Sequence, residues 1–160
     1  MTTDFVITIT KNDEPIEQAR SVKPSDKLQS KRVLEKLEIE RRYWQARNID
    51  WGLVTERDIP GVLVKNVELL HSYISLADRL PLTENDIGDV SMVLLPQMGQ
   101  IPLRQATSSC DRQLGLEPGS SLTVVYHLLA NRQWQIDMNV AIEPGKEIAL
   151  LTAIETGAGR

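Results

Sequence analysis

The chain has 160 residues, 41% hydrophobic and 25% charged, with a formal net charge of −4 and one cysteine. That length suits one domain or two very small ones, and the ordinary composition argues against a disordered or fibrous chain. The charge gives no global sign of nucleic-acid binding, a single cysteine rules out an internal disulfide, and no Cys/His cluster suits zinc.

The cations are unevenly placed. After residue 80 only Arg104, Arg112, Arg132, Lys146 and Arg160 remain. A DNA-binding role would have to use a local basic face in the first half, while the acidic second half favours a protein partner. The N-terminus lacks a charged-then-apolar leader, and no run is long enough to span a bilayer. The cytoplasm is therefore the expected compartment, and no membrane is expected among the partners.

From Thr3 the sequence alternates: Phe5, Ile7 and Ile9 point one way, Asp4, Val6, Thr8 and Thr10 the other, the period of a half-buried strand. Asn12 to Pro15 are turn formers, and Ile16–Lys23 reads as a second, antiparallel strand. The hairpin sets Asp4 beside Lys23. An acid and a lysine meeting at one sheet edge suit metal-dependent phosphodiester cleavage: the carboxylate holds a divalent cation and the ammonium steadies the attacking water or the phosphate charge. The same two residues also read as ordinary surface charges.

Ser25 or Asp26 caps a helix expected to reach about Arg47. Its inner stripe is Val33, Leu37, Glu40 and Trp44, so a carboxylate interrupts an apolar face and must find a cation, a donor or a proton. Glu40 either forms a salt bridge or faces the site of Asp4 and Lys23. Asn48 stops the helix, and Ile49–Thr55 reads as a third strand, joined to the second by a parallel crossover. Lys23, Thr55 and Glu56 then lie beyond the strand carboxyl ends, where ligands of such sheets gather.

A helix over about 62–75 follows, with His71 as a polar surface or cap residue. Leu80-Pro81-Leu82-Thr83 reads as a boundary, with Thr83 and Asp86 forming a capping-box start. Helices are expected over 84–95, 103–114 and from Ser120 or Ser121 to about Asn131. Cys110 reads as a buried thiol and His127 as a packed or partly exposed histidine. Strands are expected over Trp134–Val140 and Ile148–Leu151, so that three short helices and a hairpin form a winged-helix pattern. A plain small α+β cap is the other reading. The last residues read as a tail or linker.

Thr3-Asp4-Phe5, Ala19-Arg20-Ser21-Val22-Lys23-Pro24, Leu34 to Trp44, Ile49-Asp50-Trp51 and Thr55-Glu56 together resemble TnsA, the endonuclease subunit of heteromeric cut-and-paste DNA transposases, including those tied to CRISPR effectors. The match is dense over residues 2–72 and looser over 80–155. The resemblance implies an α/β chain: a restriction-endonuclease-like mixed sheet over 1–79, a winged-helix-like α+β domain over 80–155 and a tail over 156–160. It implies Mg²⁺-dependent cleavage, with Mn²⁺ as a substitute, of the non-transferred strand at transposon 5′ ends. The implied partners are transposon-end DNA, a DDE-type recombinase subunit (TnsB) and an AAA+ ATPase regulator (TnsC).

Residue by residue, the resemblance makes Asp4 the metal-binding aspartate, Lys23 the lysine of the acid-x-Lys motif and Glu40 a helix glutamate near them. Ser21 stands where this fold often has an acid or amide. Serine is a weak metal ligand, so the Val22 backbone carbonyl or Glu40 is expected to help. The family also has an upstream glutamate on an N-terminal helix, and only Met-Thr-Thr precedes Asp4 here. The nuclease domain is therefore expected to be N-terminally incomplete, with weak or absent cleavage by this chain alone. A non-catalytic adaptor docking on the recombinase and the ATPase is the alternative. A winged-helix transcription factor with an α/β companion fits the sparse cations of the second half less well.

Overall fold

The computed structural model describes residues 3–76 and 82–153. The chain divides into two compact units, Met1–Pro60 and Gly61–Arg160. The expected boundary lay instead at residues 79–80, which fall outside the described residues, as does the expected tail. The helix at Gly61–His71 belongs to the second unit because Leu70 enters that unit's core.

The first unit begins with β1 (Phe5–Lys11) and β2 (Glu14–Val22), an antiparallel pair. Asn12 and Asp13 both have positive φ, 53° and 63°. That left-handed two-residue turn matches the twist of a hairpin, and Asn and Asp tolerate it best after glycine. It locks Lys11 opposite Glu14, and hence Phe5 opposite Arg20. A short 3-10 turn at Ser25–Gln29 leads into α1 (Lys31–Gln45), which returns the chain to β3 (Asp50–Val54), parallel to β2. The sheet order is β1-β2-β3.

The expected single helix from residue 25 is thus broken. Ser30 is extended, with φ −83° and ψ 119°, and starts α1 as its N-cap. The Glu56 carboxylate accepts from both the backbone N–H and the hydroxyl of Ser25, which ties the 3-10 turn to the loop after β3.

Strand pairing puts Val6, Ala19 and Trp51 on one sheet face, and Phe5, Ile7 and Ile9 with Arg20, Gln18 and Ile16 on the other. Helix α1 covers the first face: Glu40 meets the Ser21 hydroxyl, Leu37, Glu40, Ala19 and Ser21 are buried, and Val33 and Trp44 are half-buried, the stripe its spacing predicts. The other face stays open. Every residue of β1 is exposed, so the half-burial expected for Phe5, Ile7 and Ile9 is not met. An edge strand can present apolar side chains this way when no layer packs on them.

The second unit contains α2 (Gly61–His71), α3 (Glu84–Leu94), α4 (Leu103–Leu114) and α5 (Ser120–Ala130). Thr83 and Asp86 form the expected reciprocal capping box, and Gly115, at φ 66°, ends α4. Leu70, Val90, Leu94, Leu103, Cys110, Val124, Leu128 and Trp134 build the core. Burial pushes the Cys110 thiol above its ordinary pKa. Among the described residues no helix is long and apolar enough to cross a membrane.

The expected hairpin is much reduced. Strand β4 covers only Trp134–Gln135 and pairs antiparallel with β5, Thr152–Ala153. The chain leaves the ladder because other partners take its backbone. The Asn66 amide donates to the carbonyls of Met138 and Val140, and its oxygen accepts from the Ile142 N–H. The N–H groups of Leu103 and Arg104, at the start of α4, take the carbonyls of Lys146 and Pro144. What stands is a mixed α/β chain with a small sheet and a helical second unit; of the strands expected at 134–140 and 148–151, only Trp134–Gln135 is paired, with Thr152–Ala153, and the backbone between them is irregular.

Candidate functional site

The hairpin register carries Asp4 to the end of β2. The chain bends at Asp4, just before β1. Asp4 Oδ2 accepts from the Val22 N–H at 2.7 Å and from Lys23 Nζ at 3.2 Å. The same ammonium donates to the Val22 carbonyl at 2.7 Å. The Lys23 N–H meanwhile bonds the Val54 carbonyl, which extends the β2–β3 pairing by one step and fixes the backbone under the ammonium. The Val22 N–H, and after it Lys23, hold the Asp4 carboxyl below the usual carboxylate range. Both side chains keep more than a third of their surface open to solvent, so a substrate can reach them.

Glu40 approaches from α1. It is only 5% exposed, and its Oε1 accepts two hydroxyl hydrogens, from Ser21 at 2.5 Å and from Thr3 at 2.6 Å. Trp44, one turn further along α1, donates its indole N–H to the Thr3 hydroxyl at 2.8 Å. A buried carboxylate on an apolar stripe thus finds neutral donors and not a cation, and Arg41 and Arg42 pair with Glu38 instead.

The three residues expected to act together are therefore gathered at one end of the sheet: Asp4 touches Lys23 directly, and Glu40 joins them through Ser21 on β2 and through Thr3, the neighbour of Asp4. Ser21, a weak ligand candidate, is wholly buried and spends its hydrogen on Glu40. The Val22 carbonyl already accepts the Lys23 ammonium. Sequence reasoning gave no role to Thr3, to Trp44 or to the Val22 N–H. The usable signal was that Trp44 lies four residues after Glu40, on the same helical stripe.

Among the described residues no three His, Cys, Asp or Glu side chains gather as metal ligands. Asp4 Oδ1 and Glu40 Oε2, however, accept no hydrogen bond among those residues, so each carboxylate keeps one hard oxygen available. One or two carboxylates, completed by waters and substrate phosphate, is the usual donor set for Mg²⁺. The residues present fit that ion.

An acid and a lysine thus meet at one end of the sheet, with a buried helix carboxylate behind them. Two family models match successive parts of the chain: TnsA-like endonuclease N terminal over residues 1–56, and TnsA endonuclease C terminal over residues 58–138. A curated relative, "Transposon Tn7 transposition protein TnsA" of Escherichia coli, is 35% identical over 139 residues, 82% of this chain and 47% of the relative. The chain spans about half the length of that relative. It belongs to the TnsA endonuclease family.

Proposed function

We propose that the chain is the endonuclease subunit of a Tn7-like transposase. In this reading it cuts the non-transferred strand at the 5′ ends of the transposon with Mg²⁺, or Mn²⁺ in its place. The observation that carries it is the 3.2 Å contact between the Asp4 carboxylate and the Lys23 ammonium at an open sheet edge, with Glu40 behind them. Asp4 and one oxygen of Glu40 would hold the divalent cation. When bound, the cation supplies Lewis-acid stabilisation of phosphate charge and a more acidic water. Lys23 is the preorganised charge: held by Asp4 and the Val22 carbonyl, its ammonium adds to the charge stabilisation of an in-line displacement. An aspartate is already an anion through the neutral range, so Asp4 needs no deprotonation to bind metal.

The partners in this reading are transposon-end DNA, the DDE-type recombinase subunit TnsB, which handles the other strand, and the AAA+ regulator TnsC. The finer fold reading that goes with it is a restriction-endonuclease-like sheet followed by a winged-helix-like second unit. The test is nicking of an end-labelled transposon-end duplex with Mg²⁺ or Mn²⁺ by the chain and by its Lys23→Ala form. Removal of one preorganised charge should lower the rate about 10²–10³-fold. Equal nicking by the two forms removes Lys23 from the chemistry.

A second reading, a non-catalytic adaptor docking on the recombinase and the regulator, is favoured by one observation. The Ser21 position, often an acid or amide in this fold, here offers a hydroxyl committed to Glu40. Calorimetry separates the two. Partner binding with no heat on Mg²⁺ addition favours the adaptor.

A further inference from the structure

Thr3 Oγ1 lies at a junction of three segments. It receives the indole N–H of Trp44 at 2.8 Å and lies 2.6 Å from Glu40 Oε1. An indole nitrogen only donates and a carboxylate oxygen only accepts, so the order of this chain is fixed: Trp44 to Thr3, Thr3 to Glu40. Ser21 reaches the same Oε1 from β2 at 2.5 Å. Both donors thus fall on one oxygen of Glu40, and Oε2 carries no hydrogen bond among the described residues. Thr3 is also bonded covalently to Asp4, whose carboxylate is tied to the backbone of Val22 and to Lys23. One hydroxyl therefore links the two carboxylates of the site through a path of short, one-way bonds, and three-membered chains of this kind strengthen one another in a water-poor setting.

We propose that Trp44 and Thr3 are positioning residues: the Trp44–Thr3–Glu40 chain fixes the Glu40 carboxylate relative to Asp4 and reserves its second oxygen for a divalent cation shared by the two. The proposal rests on the metal-site reading above and adds to it two residues that touch neither metal nor DNA. Removing the Thr3 hydroxyl leaves Glu40 with one donor and lets its carboxylate turn, while the chain end that carries Asp4 loses its tie to α1. Outer-shell partners of this kind typically govern metal affinity by about 10–100-fold.

The test uses the whole chain and Mn²⁺ alone, titrated calorimetrically into the wild type, Asp4→Ala, Thr3→Val and Thr3→Ser. Thr3→Val keeps the shape and loses the hydroxyl, and should bind Mn²⁺ about 10-fold more weakly. Thr3→Ser restores the hydroxyl and should return to within about 2-fold of the wild type, a rescue that a packing role for the threonine would not give. A second readout needs no metal. The Trp44 indole proton should exchange with solvent faster in Thr3→Val than in the wild type or Thr3→Ser.

If Asp4→Ala weakens Mn²⁺ binding and Thr3→Val does not, the positioning role is overturned while the metal site stands. Equal Mn²⁺ binding by wild type and Asp4→Ala would remove the site itself, and the inference with it. Unchanged indole exchange in Thr3→Val overturns the hydrogen-bond chain directly.

Discussion

Replacing Asn66 with alanine should destabilise the second unit by about 3 kcal/mol. Asn66 is 3% exposed on α2 and serves three backbone groups far along the chain. Its amide nitrogen donates to Met138 O at 3.0 Å and Val140 O at 2.8 Å, and its oxygen accepts the Ile142 N–H at 3.0 Å. The three losses are unequal. Ile142 is buried, so its N–H finds no water, and stranding such a donor costs about 2 kcal/mol. Val140 is exposed and Met138 half-buried, so their carbonyls can turn partly to solvent at about 1 kcal/mol each or less. Alanine returns about 0.5 kcal/mol through its higher helix propensity. Urea unfolding followed by circular dichroism measures the difference, and amide exchange at Ile142 locates it. Asn66→Asp keeps the acceptor for Ile142 but sets an anion against two carbonyls, so at neutral pH it should lose at least as much. A loss below about 1 kcal/mol for Asn66→Ala would mean that the segment after β4 is held by something other than this side chain.

Three further perturbations address other joints of the structure. Asp111 accepts the N–H groups of Gly119 and Ser121 at 2.7 and 2.8 Å and so caps α5 from α4; Asp111→Ala should cost about 2 kcal/mol in urea unfolding, and Asp111→Asn less, since its one oxygen still accepts. Gly99 has φ +75°, and an added Cβ would lie 3.2 Å from the Cα of Ala149, so Gly99→Ala should lower stability by about 2 kcal/mol; a neutral result would show that the loop can shift away. Hydrogen bonds from Arg41 and then Arg42 lower the Glu38 pKa from 4.5 to about 2. A depressed folded-state pKa stabilises above the unfolded value, so the melting-temperature gap between the wild type and Glu38→Gln should be full above pH 4.5 and shrink as pH falls toward 2; a gap that is constant with pH refutes the pairing.

Much of the first unit was legible because its signals are local. Alternation from Phe5, the Asn12-Asp13 turn and the stripe Val33-Leu37-Glu40-Trp44 each depend on residues close in sequence, and the structure keeps all three. The odd carboxylate on an apolar stripe pointed to a buried polar contact, which Ser21 and Thr3 supply. What was not legible depends on distant partners. No pattern near Trp134 says that Asn66 will take the carbonyls of Met138 and Val140, and without that information 134–140 alternates like a strand. The break at Ser30 is similar: Glu56, far along the chain, holds Ser25 in the 3-10 turn. The openness of Phe5, Ile7 and Ile9 could not be read either, since alternation says which side chains share a face and not whether anything covers it.

The site itself follows from parity. A two-residue left-handed turn sets Lys11 opposite Glu14, and every later pair inherits that register. Ala19 and Ser21 then share the face that α1 covers, so the Ser21 hydroxyl meets Glu40, and Val22 lies on the open face. Shifting the register by one residue would turn Ser21 outward and bring Val22 under the helix, leaving Glu40 buried without one of its two donors. The bend at Asp4 completes the arrangement: by ending the strand there, it frees Thr3 from alternation so that its hydroxyl can reach the covered side, while the Asp4 carboxylate stays on the exposed edge with Lys23. A buried carboxylate and an open one are thereby carried on adjoining segments with different solvent access. The open acid stays beside the Lys23 ammonium, and the buried one is held by the hydroxyls of Ser21 and Thr3.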